Sequence, residues 1–181
     1  PGTKETVQWC IDEKIKIIVS SAGCPAEPLK RLKGAGMIIL QVVADVNMAL
    51  RAQALGLDAV IAKGGESGGL NAFDAIGSLP LYPQVVDAVT IPVIGAGGIG
   101  DGRGLAAAIA LGAEGILMGT RFIASLECPV HLSYKNAVID AGSTDTVNIK
   151  FSSFGARVLK GECAIKMQGH DSPFSVAGNP V

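Results

Sequence analysis

Only four cysteines, Cys10, Cys24, Cys128 and Cys163, occur in this 181-residue chain, and none stands in C-x-x-C spacing or in a ligand pattern with either of the two histidines. Neither a structural metal nor a disulfide framework is expected, and a reducing cytoplasm is the expected setting. Aromatic residues make up only 4% of the chain, and the charges nearly cancel, with 15 Lys and Arg against 16 Asp and Glu. Because no basic run clusters along the sequence, the electrostatic footprint of a nucleic-acid binder is missing. Each apolar stretch is interrupted by Gly, Asp or Lys short of the roughly 20 residues of a membrane span, and the opening residues carry no signal-peptide pattern. The expected partner is therefore a small molecule, with self-association left open.

What is plentiful is glycine, at 24 residues, in a chain that is 49% hydrophobic and long enough to bury a core. Many of these glycines fall just after apolar runs. Thr3 to Lys14 reads as a helix, Ile15 to Ser20 as a strand ending in Ser21, Ala22 and Gly23, and Pro25 to Lys33 as a short helix closed by Gly34 and Gly36. Met37 to Val43 is the next strand, followed by a helix capped by Asp45 and stopped at Gly56. Asp58 to Ala62 is a third strand, Leu81 to Val89 a helix, Pro92 to Ala96 a fourth strand and Gly115 to Met118 a fifth. Strands apolar on both faces that alternate with helical patterns indicate a parallel sheet covered by helices.

The segment Ile91 to Thr120, IPVIGAGGIGDGRGLAAAIALGAEGILMGT, is the most informative. A strand runs into Gly97, Gly98 and Gly100, Asp101 caps a helix that ends at Gly112, and a second strand ends in Gly119 and Thr120. Two neighbouring strand ends thus offer bare backbone and a hydroxyl to one phosphate. Gly95, Gly97 and Gly100 also match G-x-G-x-x-G. A dinucleotide site, however, wants an acidic residue closing the second strand, where this chain has Gly119, Thr120 and Arg121. A phosphate held by the last two strands of a (β/α)8 barrel, the TIM barrel, fits better, with a complete open α/β domain as the alternative. Five strand units fall short of a full barrel of about 250 residues, so the chain reads as the C-terminal portion of a longer polypeptide. Residues 1–128 would form barrel, and residues 129–181 a helix through Ile139 followed by an irregular tail with a strand candidate at Val147 to Phe151.

Gly64-Gly65-Glu66-Ser67-Gly68-Gly69, Ile91 to Ile99, Asp101-Gly102-Arg103 and Met118-Gly119-Thr120-Arg121-Phe122 together resemble the FMN-dependent nitronate monooxygenases, formerly 2-nitropropane dioxygenases, and the related FMN-dependent enoyl-acyl-carrier-protein reductases. Glu127, Tyr134-Lys135, Asp145-Thr146-Val147 and Ala156-Arg157 look like the C-terminal region of that family. The resemblance implies strands four to eight of the family barrel. It also implies an FMN phosphate on Gly97, Gly98, Gly119 and Thr120, with Gly68 near the flavin and Lys63, Leu117 and Met118 at neighbouring strand ends. Lys63 and Leu117 stand where the family often carries glutamine, and Leu70 where it usually carries a histidine that handles substrate. Leucine cannot abstract a proton, so no catalytic base is assigned, Lys63 being the candidate polar group. His131 and His170 lie past the last barrel strand, where a surface or lid role is expected.

The resemblance implies two activities and leaves a third reading that has none. The first is an FMN-dependent monooxygenase that oxidises a nitronate or similar small anion with O2. The second keeps the flavin but reduces an enoyl thioester with a nicotinamide donor. The third is a degenerate homologue without turnover. Lys63 also admits a Schiff-base role of the barrel-aldolase kind, and it is three positions from Glu66, with which it could pair. Arg103 and Arg121 flank the phosphate positions.

Overall fold

Five short apolar strands pair in parallel in the order in which the chain makes them. The structure, a computed structural model, describes residues 3–21, 26–72, 74–150 and 154–167. Ala22, Gly23, Cys24, Pro25, Phe151 and His170 lie outside the described residues. After the helix α1 (Thr3–Asp12) come β1 (Ile17–Ser20), α2 (Ala26–Gly34), β2 (Ile38–Val43), α3 (Val46–Ala54) and β3 (Ala59–Lys63). A short β4 (Gly69–Asn71) precedes α4 (Ser78–Ala88), β5 (Val93–Ala96), α5 (Gly102–Ala110), β6 (Gly115–Leu117) and the single turn α6 (Thr120–Ile123). The chain continues through α7 (Leu132–Asp140), β7 (Thr146–Lys150), β8 (Gly155–Leu159) and α8 (Glu162–Met167).

The main sheet has the order β1-β2-β3-β5-β6, with every pairing parallel. Each new strand is laid on the same side of the last, which is how a barrel wall is wound. A dinucleotide fold instead reverses its strand order at a switch point. Alternation then divides the side chains. Ile39, Val43, Val60, Ala62 and Val93 share one buried cluster with Leu29, Leu32, Ala49, Ala52, Leu81 and Val85 of the helices. On the opposite face of β1 and β2, Ile17, Val19 and Ile38 are exposed, at 58%, 50% and 48%. β1 and β6 form the two edges of this sheet.

Local capping sets the helix boundaries. Asp45 accepts a hydrogen bond from Met48 N at 2.8 Å and starts α3, and Asp101 accepts from Arg103 N at 2.9 Å and starts α5. Helix α4 begins at Ser78 rather than Leu81. Its N-cap residue is Gly77, which has no side chain to offer, and the Glu66 carboxylate accepts from Ser78 N at 2.9 Å in its place. That cap comes from twelve residues away, so no local signal announces it.

The strand expected within the tail at Val147 to Phe151 is present as β7, but the tail is more regular than expected because a second strand, β8, joins it. Residues 146–150 and 155–159 form an antiparallel pair, and β8 also pairs with β4 to give a three-stranded sheet of order β4-β8-β7. Val147 and Ile149 alternate with exposed residues and bury one face against Ala164, Val158 and Met167. The β8 signal is hidden by Arg157, whose polar head is absorbed by Thr146 Oγ1 at 3.0 Å and the Gly65 carbonyl at 3.3 Å. Likewise the stretch after Lys63 contains β4, a strand that its own residues do not signal because its register partners lie 84 to 88 residues further on, Leu70 facing Ala156 and Asn71 facing Gly155.

Candidate phosphate cradle and inner face

Three loops meet at the C-terminal edge of the main sheet, one after each of β3, β5 and β6. The contacts form an unbroken chain. A Cβ on Gly97 would lie 2.6 Å from Ser67 Oγ, Ser67 adjoins Gly68, and a Cβ on Gly68 would lie 3.2 Å from Thr120 Oγ1. Glycine is required at Gly97 twice over, since its φ of +105° is also a conformation that side chains resist. Gly98 is left-handed as well, at φ +69°, and lies against the Glu66 side chain. Around Gly119, by contrast, the space is open.

Two N–H groups at the N-terminus of α5 are already taken by its own cap. Asp101 takes Arg103 N and Gly104 N for itself and holds the Arg103 guanidinium through Nε at 2.9 Å and Nη2. The hydrogen bonds from Arg103 hold the Asp101 carboxyl at a pKa of about 2. Arg103 is thereby spent on its own helix cap. Arg121 lines a cavity of about 400 Å³ together with Gly100, Leu105, Ile116, Met118 and Phe122. Met118 lines that cavity, whereas Leu117, one residue earlier, is set on the other face of β6 by the alternation of the strand.

Register brings two of the sequence candidates into one row. Lys63 is opposite Ala96, and Ala96 is opposite Leu117, on the sheet face that also carries Ile61 and Ile94. This is the face turned away from the helices. Burial lowers the Lys63 pKa. Its Nζ donates to the Leu70 carbonyl at 2.5 Å and makes no ion pair with Glu66. The Glu66 carboxylate instead accepts from Ser78 N and Ser78 Oγ, each at 2.9 Å. Burial opposes its ionisation, but the bonds from Ser78 and the charge of Arg157 outweigh this and hold its pKa below the ordinary value. The Leu70 side chain is 60% exposed. His131 is the N-cap of α7, its ring Nδ1 accepting from Ser133 N.

Several residues at this edge escape a reading of sequence. Ser78 and Tyr82, one turn apart on α4, both reach the Gly97 carbonyl, at 3.0 and 3.4 Å. The Tyr82 ring fills the place where a Cβ on Gly95 would be, 2.9 Å away. The first glycine of the G-x-G-x-x-G match therefore serves helix packing. Ser67 Oγ and Asn71 Oδ1 are buried without a hydrogen-bond partner among the described residues. A usable signal existed only for the Ser78 and Tyr82 pair, four positions apart on the helix that packs against Gly95 at the end of β5 and Gly97 just after it.

Comparison with known proteins decides among folds that share such an edge. The family model for nitronate monooxygenase matches residues 2–177. This chain belongs to the nitronate monooxygenase family. It is 38% identical over 164 residues to a probable nitronate monooxygenase of Staphylococcus aureus (strain MSSA476), covering 86% of this chain and 46% of that relative. Among solved structures it is similar to FabK from Thermotoga maritima, with 43% identity and a TM-score of 0.85 over 91% of this chain and 53% of that one. It is also similar to nitroalkane oxidase from Streptomyces ansochromogenes, with 32% identity and a TM-score of 0.80 over 88% of this chain and 49% of that one. The chain spans about half the length of these relatives. Its five parallel strands are a contiguous part of the TIM-barrel wall of these neighbours.

Proposed function

We propose that this chain provides the FMN-phosphate side of an FMN-dependent oxidoreductase that oxidises a nitronate, or a similar small anion, with O2 in the cytoplasm. The observation that carries this reading is the convergence of Gly97, Ser67, Gly68 and Thr120 from three strand ends. Gly97, Gly98, Gly119 and Thr120 would hold the phosphate through backbone N–H groups and one hydroxyl, with Gly68 beside it. The backbone at Met118 would border the phosphate, and Lys63 and Leu117 would face the ring. Bound FMN would supply the electron transfer, and the protein its orientation.

The substrate class follows from Lys63 and Leu70. Lys63 presents a cation on the inner face, suited to holding an anion or a developing negative charge. Leu70 offers no titratable group. A nitronate arrives already deprotonated and needs no base, whereas a neutral nitroalkane does. The Lys63 cation also favours a second reading, because reducing an enoyl thioester develops charge on its carbonyl oxygen.

Purified protein titrated with FMN, then assayed for oxygen uptake with a nitronate and with the parent nitroalkane, tests the proposal. Bound flavin with uptake on the nitronate alone is expected. Nicotinamide oxidation on an enoyl thioester without nitronate turnover selects the second reading, and failure to bind FMN selects a degenerate homologue.

A further inference from the structure

The peptide between Gly97 and Gly98 joins two residues of positive φ, at +105° and +69°. A Gly-Gly peptide has no Cβ on either side to choose between its two orientations, so the choice must come from outside. Two side chains of α4 make it. Ser78 Oγ lies 3.0 Å and Tyr82 Oη 3.4 Å from the Gly97 carbonyl, and both residues are buried, at 9% and 2% exposure. The peptide is trans, so its C=O and N–H point in opposite directions. Turning the Gly97 carbonyl onto α4 therefore turns the Gly98 N–H away from α4.

Proton counting shows why both hydroxyls are needed. Ser78 has one hydroxyl proton and three acceptors within 3.5 Å, Glu66 Oε2 at 2.9 Å, Gly97 O at 3.0 Å and Ala96 O at 3.5 Å. An ionised carboxylate competes well for it. The Tyr82 proton has the Gly97 carbonyl as its acceptor. Glu66 in turn anchors the α4 terminus through Ser78 N, and Arg157 of the hairpin donates to the Gly65 carbonyl in the same loop. The geometry points to Ser78 and Tyr82 as positioning residues for the phosphate cradle: their hydroxyls fix the Gly97–Gly98 peptide in the one orientation that offers Gly98 N–H to the anion.

The inference rests on the proposed FMN reading and is tested on the same chain by a ratio. FMN and riboflavin share the ring and differ in the phosphate, so the ratio of their affinities isolates the cradle. Flavin fluorescence titrations on the wild type, Ser78→Ala, Tyr82→Phe and the double variant supply it. The double variant is expected to lose about tenfold in FMN affinity relative to riboflavin, the size of one to two hydrogen bonds, and each single variant less. An unchanged ratio in the double variant overturns the inference, as does an equal loss for both flavins, which is what general loosening of α4 would give. Should the double variant not fold, a lowered ratio in either single variant supports the inference and unchanged ratios in both overturn it. A wild type that binds no flavin, or does not prefer FMN, removes the FMN reading and this inference with it.

Discussion

Replacing Gly97 by alanine perturbs the centre of the cradle in two separable ways. The backbone there has φ +105°, where an L-residue is strained by about 1–3 kcal/mol. The added methyl would also stand 2.6 Å from Ser67 Oγ, 2.9 Å from Gly64 O and 3.0 Å from Ser78 Oγ. Gly64 O is backbone, fixed by the neighbouring bond from Gly64 N to Ala96 O at 2.9 Å, so it cannot simply turn aside. Overpacking of this kind costs about 1–3 kcal/mol. Together the two effects amount to about 4 kcal/mol at the middle of their ranges, or a fall in Tm of roughly 8–16 °C for a chain of this size. Thermal and urea unfolding of Gly97→Ala beside Gly100→Ala tests this, because Gly100 has open space around it and no left-handed strain. The control should stay within about 1 kcal/mol of wild type. If Gly97→Ala melts together with Gly100→Ala, the close approach of the three loops, and the cradle built on it, is wrong.

Three further outcomes are expected. Leu70→His places a titratable group on the exposed β4 position and should add turnover of neutral nitroalkanes that rises with pH through about 6.5, while nitronate turnover stays; a pH–rate profile without that limb refutes the role assigned to Leu70. The Asp101 cap has its carboxyl lowered from 3.8 to about 2, so its contribution is present above pH 3.8 and is lost as pH falls through about 2. NMR shifts of the Arg103 and Gly104 amides should titrate with a midpoint near 2, and Asp101→Asn should abolish that titration. Gly95→Ala forces a methyl to 2.9 Å from the Tyr82 ring and should cost about 1–3 kcal/mol, most of it recovered when Tyr82 is also shortened to Leu; equal losses with and without Tyr82→Leu would show that the ring is not the obstacle.

What the sequence determined by itself was everything set by neighbours in the chain. β-branched runs, Asp45 and Asp101 as caps, and glycines after strands fix the five βα units, because period and capping act within a few residues. The glycine-rich strand ends proposed to hold the phosphate were legible for the same reason, since the bare backbone at Gly97, Gly98 and Gly119 and the hydroxyl of Thr120 need no distant partner to be recognised. Tertiary structure decided the rest. It assigned Gly95 to the Tyr82 ring, gave α4 a cap from Glu66 twelve residues away, and kept Lys63 apart from Glu66 by sending one to the Leu70 carbonyl and the other to Ser78. β4 exists only as a hydrogen-bond partner of β8, more than 80 residues further on, and a strand three residues long has no stability of its own to announce. Local propensity and periodicity report what a segment can be. Which polar group satisfies which, and where a glycine is needed for a neighbour rather than for a turn, depends on groups that only folding brings within 3 Å.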